Sequence, residues 1–503
     1  MSLAHRAVRG TMFVAVGDYA IMLMSFAATV VLARTLEPRD FGIYALAFFF
    51  LTLSDMSNKL GLDYALIHRQ DISGAVLPTH LFSSLACSGL TFAIAGAIAV
   101  VLPLFNHEAS LSHGLMLLAA FSSVQALGST SRFLLEKELR FLRVEAVMVT
   151  ATAVSSLVGI LLAWRGWGVW SLFTRDMASM VLVAVGCILA SPWRFWDAWR
   201  APRRYDFKVA KWFLRFGAAI SVAAFASISL YLFDNFLVGT IVGASALGFY
   251  DRAYRFANLP TGLVTRIAAR SALPVYAKVQ DEREKLSRAF NLTLHLIITL
   301  SLPLALVLFA TAPEFVRVLL GKRWADSVPL MRLLIVFSLL RPLLDDAFSL
   351  LVAVGRPTMT SILRGSEAIT LAALAIPLTF AFQAKGTAVA VDLAFGVGLV
   401  VAYAGLRRSV DVAYREVFVS PVLAAVASVA AWLLLRHATA IPDMRPFFRL
   451  VLYGGAMMAV YGLVILAVER QRFWARVTYL WGLIAAPQQA APADVLAASE
   501  VER

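Results

Sequence analysis

Between Ala244 and Lys278 arginines recur at helical spacing inside a stretch long enough to cross a bilayer. Arg252, Arg255, Asn258, Gly262, Arg266 and Arg270 follow one another at three, three, four, four and four residues, which lays them on one face of a helix. Phe249, Leu259, Leu263 and Ile267 make the opposite, apolar face. An arginine at the bilayer centre costs roughly 2.5–3.5 kcal/mol to insert, so this stripe must face protein, water or an anion. Guanidinium is a planar, permanently charged fork matched to phosphate oxygens. The chemistry on offer is anion recognition, with Arg252 and Arg255 the first candidates. Arg266 and Arg270 lie nearer the far end, where they either help to load a ligand or snorkel to headgroups. The stripe has a structural alternative, a network with carboxylates, for which Asp234 and Asp345 or Asp346 are available.

Other ionisable groups fall inside apolar segments, each a functional candidate by default: Asp18, Asp55, Arg175 with Asp176, Arg341 with Asp345, Glu367 and Asp392. Arg132 with Glu136, and Arg341 with Asp345, are i, i+4 pairs able to neutralise themselves. Arg341 joins the candidates for substrate contact; Asp18, Asp234 and Asp345 are the candidates for coupling to a proton or cation, Asp18 foremost because no cation lies at helical spacing from it. His295 reads as a hydrogen-bonded core histidine, and Cys87 and Cys187 as small core residues. No P-loop, zinc-ligand spacing or nucleophile elbow occurs, so no catalytic residue, metal or cofactor is assigned. The chain reads as no enzyme, and an ATP-driven pump would need a nucleotide domain it lacks.

The elements that must position these groups are membrane helices. Hydrophobic residues make up 60% of the 503, charged residues 15%, and mean hydropathy is +0.78. A span needs roughly 20 apolar residues, and about fourteen segments qualify: 12–33, 40–60, 78–103, 111–132, 144–163, 168–190, 213–238, 244–275, 288–310, 328–354, 358–381, 386–406, 418–435 and 449–468. The fold class is all-α and polytopic. The net charge of +14 belongs to loops rather than to a nucleic-acid surface, and no nucleic-acid partner is read from it. Seven cations between Ser191 and Arg215, against none in 103–112 or 240–246, put that loop and both termini in the cytosol. Connections 311–327 and 436–448 carry arginines on the outer side and are where a span is most easily miscounted.

Residues 191–212, which mix Trp193, Trp196 and Trp199 with arginine, read as a cytosolic amphipathic linker dividing an N-terminal lobe (1–190) from a C-terminal one (213–410). Two further spans (411–470) and a disordered cytosolic tail (471–503) follow. The lobes echo each other. Thr35-Leu36 leads to Gly42 and Tyr44 as Thr240-Ile241 leads to Gly248 and Tyr250, and Arg132–Glu136 matches Arg341–Asp345, offsets of about 206 and 209. Six spans per copy make the lobes parallel-related, with a central cleft between them.

Tyr250-Asp-Arg-Ala-Tyr-Arg255-Phe-Ala-Asn-Leu-Pro260-Thr-Gly262, followed by Ala272-Leu-Pro274, resembles the eighth-span signature of the multidrug/oligosaccharidyl-lipid/polysaccharide exporter superfamily. With the tryptophan- and arginine-rich middle loop, it is most similar to the Wzx-type polysaccharide flippases. The resemblance implies translocation of an undecaprenyl-pyrophosphate-linked oligosaccharide across the bacterial inner membrane, for exopolysaccharide, capsule or O-antigen synthesis, by alternating access through a cationic cleft. It implies Arg255 as the pyrophosphate contact, and membrane lipids, a polysaccharide polymerase and a co-polymerase as partners. Lipid II flippases carry first-span arginines, whereas Asp18 is the only charge there, which counts against lipid II as substrate. Two alternatives stay open: a cation-coupled multidrug exporter, whose cationic substrates a basic cleft repels, and a membrane polysaccharide polymerase or ligase, for which the outward loops are short.

Overall fold

A computed structural model describes residues 3–55, 61–71, 74–105, 108–193, 196, 205–437 and 444–469, without the side chains of 3–13, 218–231 and 263–271. No strand occurs among the described residues. Ten described helices are long and apolar enough to cross a membrane. The expected amphipathic linker lies mostly, and the tail wholly, outside the described residues. Packing divides the chain into two compact units, Met1–Gly248 and Phe249–Arg503.

The first unit holds α1 (Leu3–Thr35), α2 (Pro38–Ser54), the short α3 (Leu62–His68), α4 (Val76–Val101), α5 (Ala109–Lys137), α6 (Phe141–Trp164), α7 (Trp170–Ala190) and α8 (Phe207–Leu237). Pro38, whose missing N–H is unneeded in a first turn, starts α2, and Asp40 accepts from the Glu37 N–H at 3.1 Å. Within this unit α1 packs on α6, α4 on α5, and α5 and α6 on α7. The helix after the linker, α8, packs on α2, α3 and α4, so it sits with the first unit.

Gly42 and Gly248 explain each other. A Cβ on Gly42 would overlap the carbonyl oxygen of Ala244, and a Cβ on Gly248 would overlap that of Pro38. Pro38 and Gly42 stand 206 residues before Ala244 and Gly248, so the sequence echo is a reciprocal backbone crossing in space. Only a residue without a side chain fits at either place.

The second unit holds most of α9 (Ala244–Ala257), then α10 (Leu259–Lys278), α11 (Arg283–Ala310), α12 (Ala312–Leu319), α13 (Ser327–Ala353), α14 (Pro357–Leu406), α15 (Tyr414–His437) and α16 (Pro446–Val468). Here α10 and α11 pack on α13, α13 on α14, α11 on α15, and α15 on α16. The 50-residue α14 is two crossings rather than one: at Gln383 (φ 54°) it folds back, so that Glu367 packs on Gly398 and Met359 on Gly405. Thr379 and Thr387 join their hydroxyls across the turn at 2.7 Å. The connection 311–327 holds no extra span; it forms the short α12 and buries Trp324.

The expected single span 244–275 is corrected. It is two helices, α9 and α10, interrupted at Asn258. Pro260 lacks the N–H that would continue the ladder to Phe256 and fits only as the start of a new helix.

Candidate functional site

The arginine stripe begins on α9, whose last turns carry Asp251, Arg252 and Arg255. Asp251 is buried, and both guanidiniums come to it: Arg252 donates through Nε at 3.0 Å and through Nη2, and Arg255 Nε donates to both carboxylate oxygens at 3.1 Å. The two arginines then part. The Arg252 side chain is 5% exposed and Arg255 is 54% exposed. The carboxylate shared by two guanidiniums makes Arg252 tolerable in the core.

Three residues past Arg255 the helix breaks, and the Asn258 Oδ1 is buried with no hydrogen-bond partner among the described residues. Gly262, one turn on, is exposed, with no atom within 4 Å of where its Cβ would point. The N-terminus of the 20-residue α10 opens at this break. An exposed guanidinium and a helix N-terminus thus follow each other within a few residues, a pairing suited to an anion, whereas the unpaired Asn258 oxygen, an acceptor, calls for a hydrogen-bond donor. Arg266 and Arg270 carry the stripe along α10, but their side chains lie outside the described residues.

The break packs on α13. Thr261 donates to the Ser338 carbonyl at 2.8 Å, and Tyr254 stacks on Phe337 at 5.0 Å between ring centroids. Arg341 follows Ser338 by three residues and stands 3.9 Å from Asp345. Asp345 is shared: Arg364 of α14 approaches it at 3.5 Å and Glu367 at 2.9 Å. Asp346 turns the other way, accepts from the Tyr276 hydroxyl at 2.8 Å, and keeps its second oxygen buried without a partner. Neither Asp345 nor Asp346 serves Arg252 or Arg255 as the expected partner; Asp251 takes that place.

In the first unit Asp18 is exposed on α1, one residue from Gly17, against which the carboxylate of Glu145 packs. Arg132 and Glu136 form the expected i, i+4 pair at 3.0 Å. Asp234 is buried near the end of α8, where it accepts from the Asn235 N–H at 2.8 Å. His295 is a core histidine, as its sequence context predicts, yet it faces a buried carboxylate: Nε2 lies 3.2 Å from Glu469, which also accepts from Ser420. Among the described residues no cluster of three or more His, Cys, Asp or Glu could hold a metal ion.

Asp251, Glu145, Arg364 and Glu469 escaped the sequence reading. Asp251 stood inside the signature stretch, at i−1 and i−4 to the two arginines, so helical spacing alone could have found it. Arg364 stood three residues before Glu367, a spacing equally legible on a helix, whereas Glu145 and Glu469 meet distant segments and leave no local signal.

Comparison with known proteins decides the family. A family model described as polysaccharide biosynthesis protein matches residues 31–329, more than half of the chain. The chain belongs to that family. Within it the chain is a Wzx-type member of the multidrug/oligosaccharidyl-lipid/polysaccharide exporter superfamily. It is 26% identical over 360 residues to the lipopolysaccharide biosynthesis protein WzxC of Escherichia coli (strain K12), covering 71% of this chain and 72% of that one. It is 24% identical over 318 residues to the succinoglycan biosynthesis transport protein ExoT of Rhizobium meliloti (strain 1021), covering 62% of each. Its fold is similar to that of the lipid II flippase MurJ in an inward closed conformation, with TM-score 0.68, 15% identity, and coverage of 92% of this chain and all of the other. The chain is a multi-pass membrane protein with the fold of that solved structure.

Proposed function

We propose that this protein carries an undecaprenyl-pyrophosphate-linked oligosaccharide repeat unit from the cytosolic to the periplasmic leaflet of a bacterial inner membrane, for exopolysaccharide, capsule or O-antigen assembly. The observation that carries the reading is Arg255: a guanidinium more than half exposed, anchored by a buried carboxylate at a helix break, inside a stretch where lipid would reject it. A pyrophosphate is too costly to drag unpaired through hydrocarbon, and Arg255 with the α10 N-terminus supplies the pairing. Arg252 shares Asp251 behind it. Arg266, Arg270 and Arg341 extend the cationic route, Asn258 orients the phosphate, and both termini lie in the cytosol. The names borne by WzxC and ExoT, which tie those relatives to surface-polysaccharide synthesis and transport, support the same reading.

Alternating access needs an energy source, and three carboxylates are available for it. Asp345 already sits between Arg341 and Arg364, which repel an incoming cation. Asp234 is buried. Asp18, exposed and close to a second carboxylate, is the best placed to take a proton or cation.

The test is complementation of a deletion strain with Arg255→Ala. Polymer should vanish from the surface, lipid-linked repeat units should collect in the inner leaflet, and the variant should remain in the membrane at the normal level. Normal polymer output from that strain would remove the site.

A further inference from the structure

The first unit contains a cavity that the pyrophosphate contact does not use. Asp55 at the end of α2, Asp63 of α3, Ser84 of α4, and Gln125, Arg132 and Phe133 of α5 line it. We infer that this cavity is a sugar subsite, which holds a pyranose ring of the head group while the pyrophosphate is held elsewhere; the inference rests on the transport reading above.

Four observations point there. Water centres can occupy about 80 Å³ of the cavity, several times the roughly 10–15 Å³ that one water needs, so the space suits a hydroxylated ring and not a bare ion. Arg132 stands in the lining beside the carboxylates, which disfavours a cation as the occupant. Ser84 is 3% exposed, and of its polar atoms the hydroxyl is the one its helix does not use, at the border of the cavity. The lining also combines what a sugar demands: carboxylates that accept from hydroxyls, an amide and a guanidinium that donate to them, and the apolar face of Phe133.

Arg132 is held in advance, and Asp63 stands beside a buried histidine. Asp63 lies 3.4 Å from Nε2 of the fully buried His80, whose Nδ1 is 2.8 Å from the Thr130 hydroxyl. Arg132 is fixed by Glu136 at 3.0 Å and by the Phe133 ring, 5.4 Å from its Cζ. Ser84 and Gln125 are left to the ligand. A site built to hydrogen-bond hydroxyls rejects a ligand lacking them, because its polar groups then stay unpaired.

The experiment separates the sugar from the carrier. Gln125→Cys, in a chain with Cys87→Ala and Cys187→Ala, is labelled with a small maleimide in membrane vesicles. The vesicles carry either the native lipid-linked repeat unit, undecaprenyl pyrophosphate without sugar, or sodium salts alone. The repeat unit should protect the thiol and the other two should not. In parallel, Ser84→Leu should reduce retention of radiolabelled repeat unit on the purified protein about tenfold, the worth of a hydrogen bond with its desolvation, and leave retention of undecaprenyl pyrophosphate unchanged. Equal protection by carrier and repeat unit, protection by sodium alone, or normal repeat-unit retention by Ser84→Leu would each overturn the subsite. The transport reading fails separately: its sign is that Arg255→Ala retains undecaprenyl pyrophosphate as the wild type does.

Discussion

Asp251 divides the labour between two arginines of the same sequence stretch. Removing its charge by Asp251→Asn takes from Arg252, which is 5% exposed, the buried carboxylate it bonds. Breaking a buried pair from one side typically costs about 3–5 kcal/mol, so this variant should lose most of its thermal stability in detergent. Arg255→Ala leaves the Asp251–Arg252 pair intact and should melt near the wild type while export stops. Arg255→Lys keeps the charge but not the planar fork, and its polymer output should fall between wild type and Arg255→Ala. If Asp251→Asn melted like the wild type, Asp251 would not be what anchors the stripe.

Two devices act at the level of helices. At the first, Gly42 and Gly248 let α2 and α9 cross backbone to backbone. Gly42→Ala and Gly248→Ala should each destabilise by about 1–3 kcal/mol, the usual penalty of overpacking, and by similar amounts because each glycine meets the matching residue of the other copy. Unequal effects in thermal unfolding would show that the echo at 206 residues is not a structural equivalence. At the second, Pro260 interrupts the helix at the anion site. Pro260→Ala restores the missing N–H, so it should hold or raise stability while lowering polymer export, because a continuous helix covers the N-terminal N–H groups of α10.

Packing within each unit groups the connections by face, and loop charge then predicts the side of the membrane. Arg39 bonds Glu108 at 2.8 Å, so the connections after α1 and α4 share one face of the first unit. Arg283 bonds Asp411 at 2.7 Å, so the connections before α11 and after α14 share one face of the second. The positive-inside rule assigns the first pair to the periplasm and the second to the cytosol. Cysteines placed by Glu108→Cys and Asp411→Cys should accordingly react with an impermeant maleimide in intact spheroplasts and in inverted vesicles respectively. The reverse pattern would turn the molecule over and with it the direction of transport.

Hydropathy, a property of each segment alone, was enough to tell that the chain is an all-helical membrane protein and to set most span boundaries within a few residues. The i, i+4 pairs Arg132–Glu136 and Arg341–Asp345 were equally legible, since one turn of helix fixes their distance. Tertiary structure decided the rest. It put α8 with the first unit, exposed Arg255 while sealing Arg252, and drew α2, α3, α4 and α5 around the cavity. Exposure and enclosure depend on which distant helices pack together, and contacts such as His295–Glu469 join residues far apart in the chain, so no periodicity in the sequence records them.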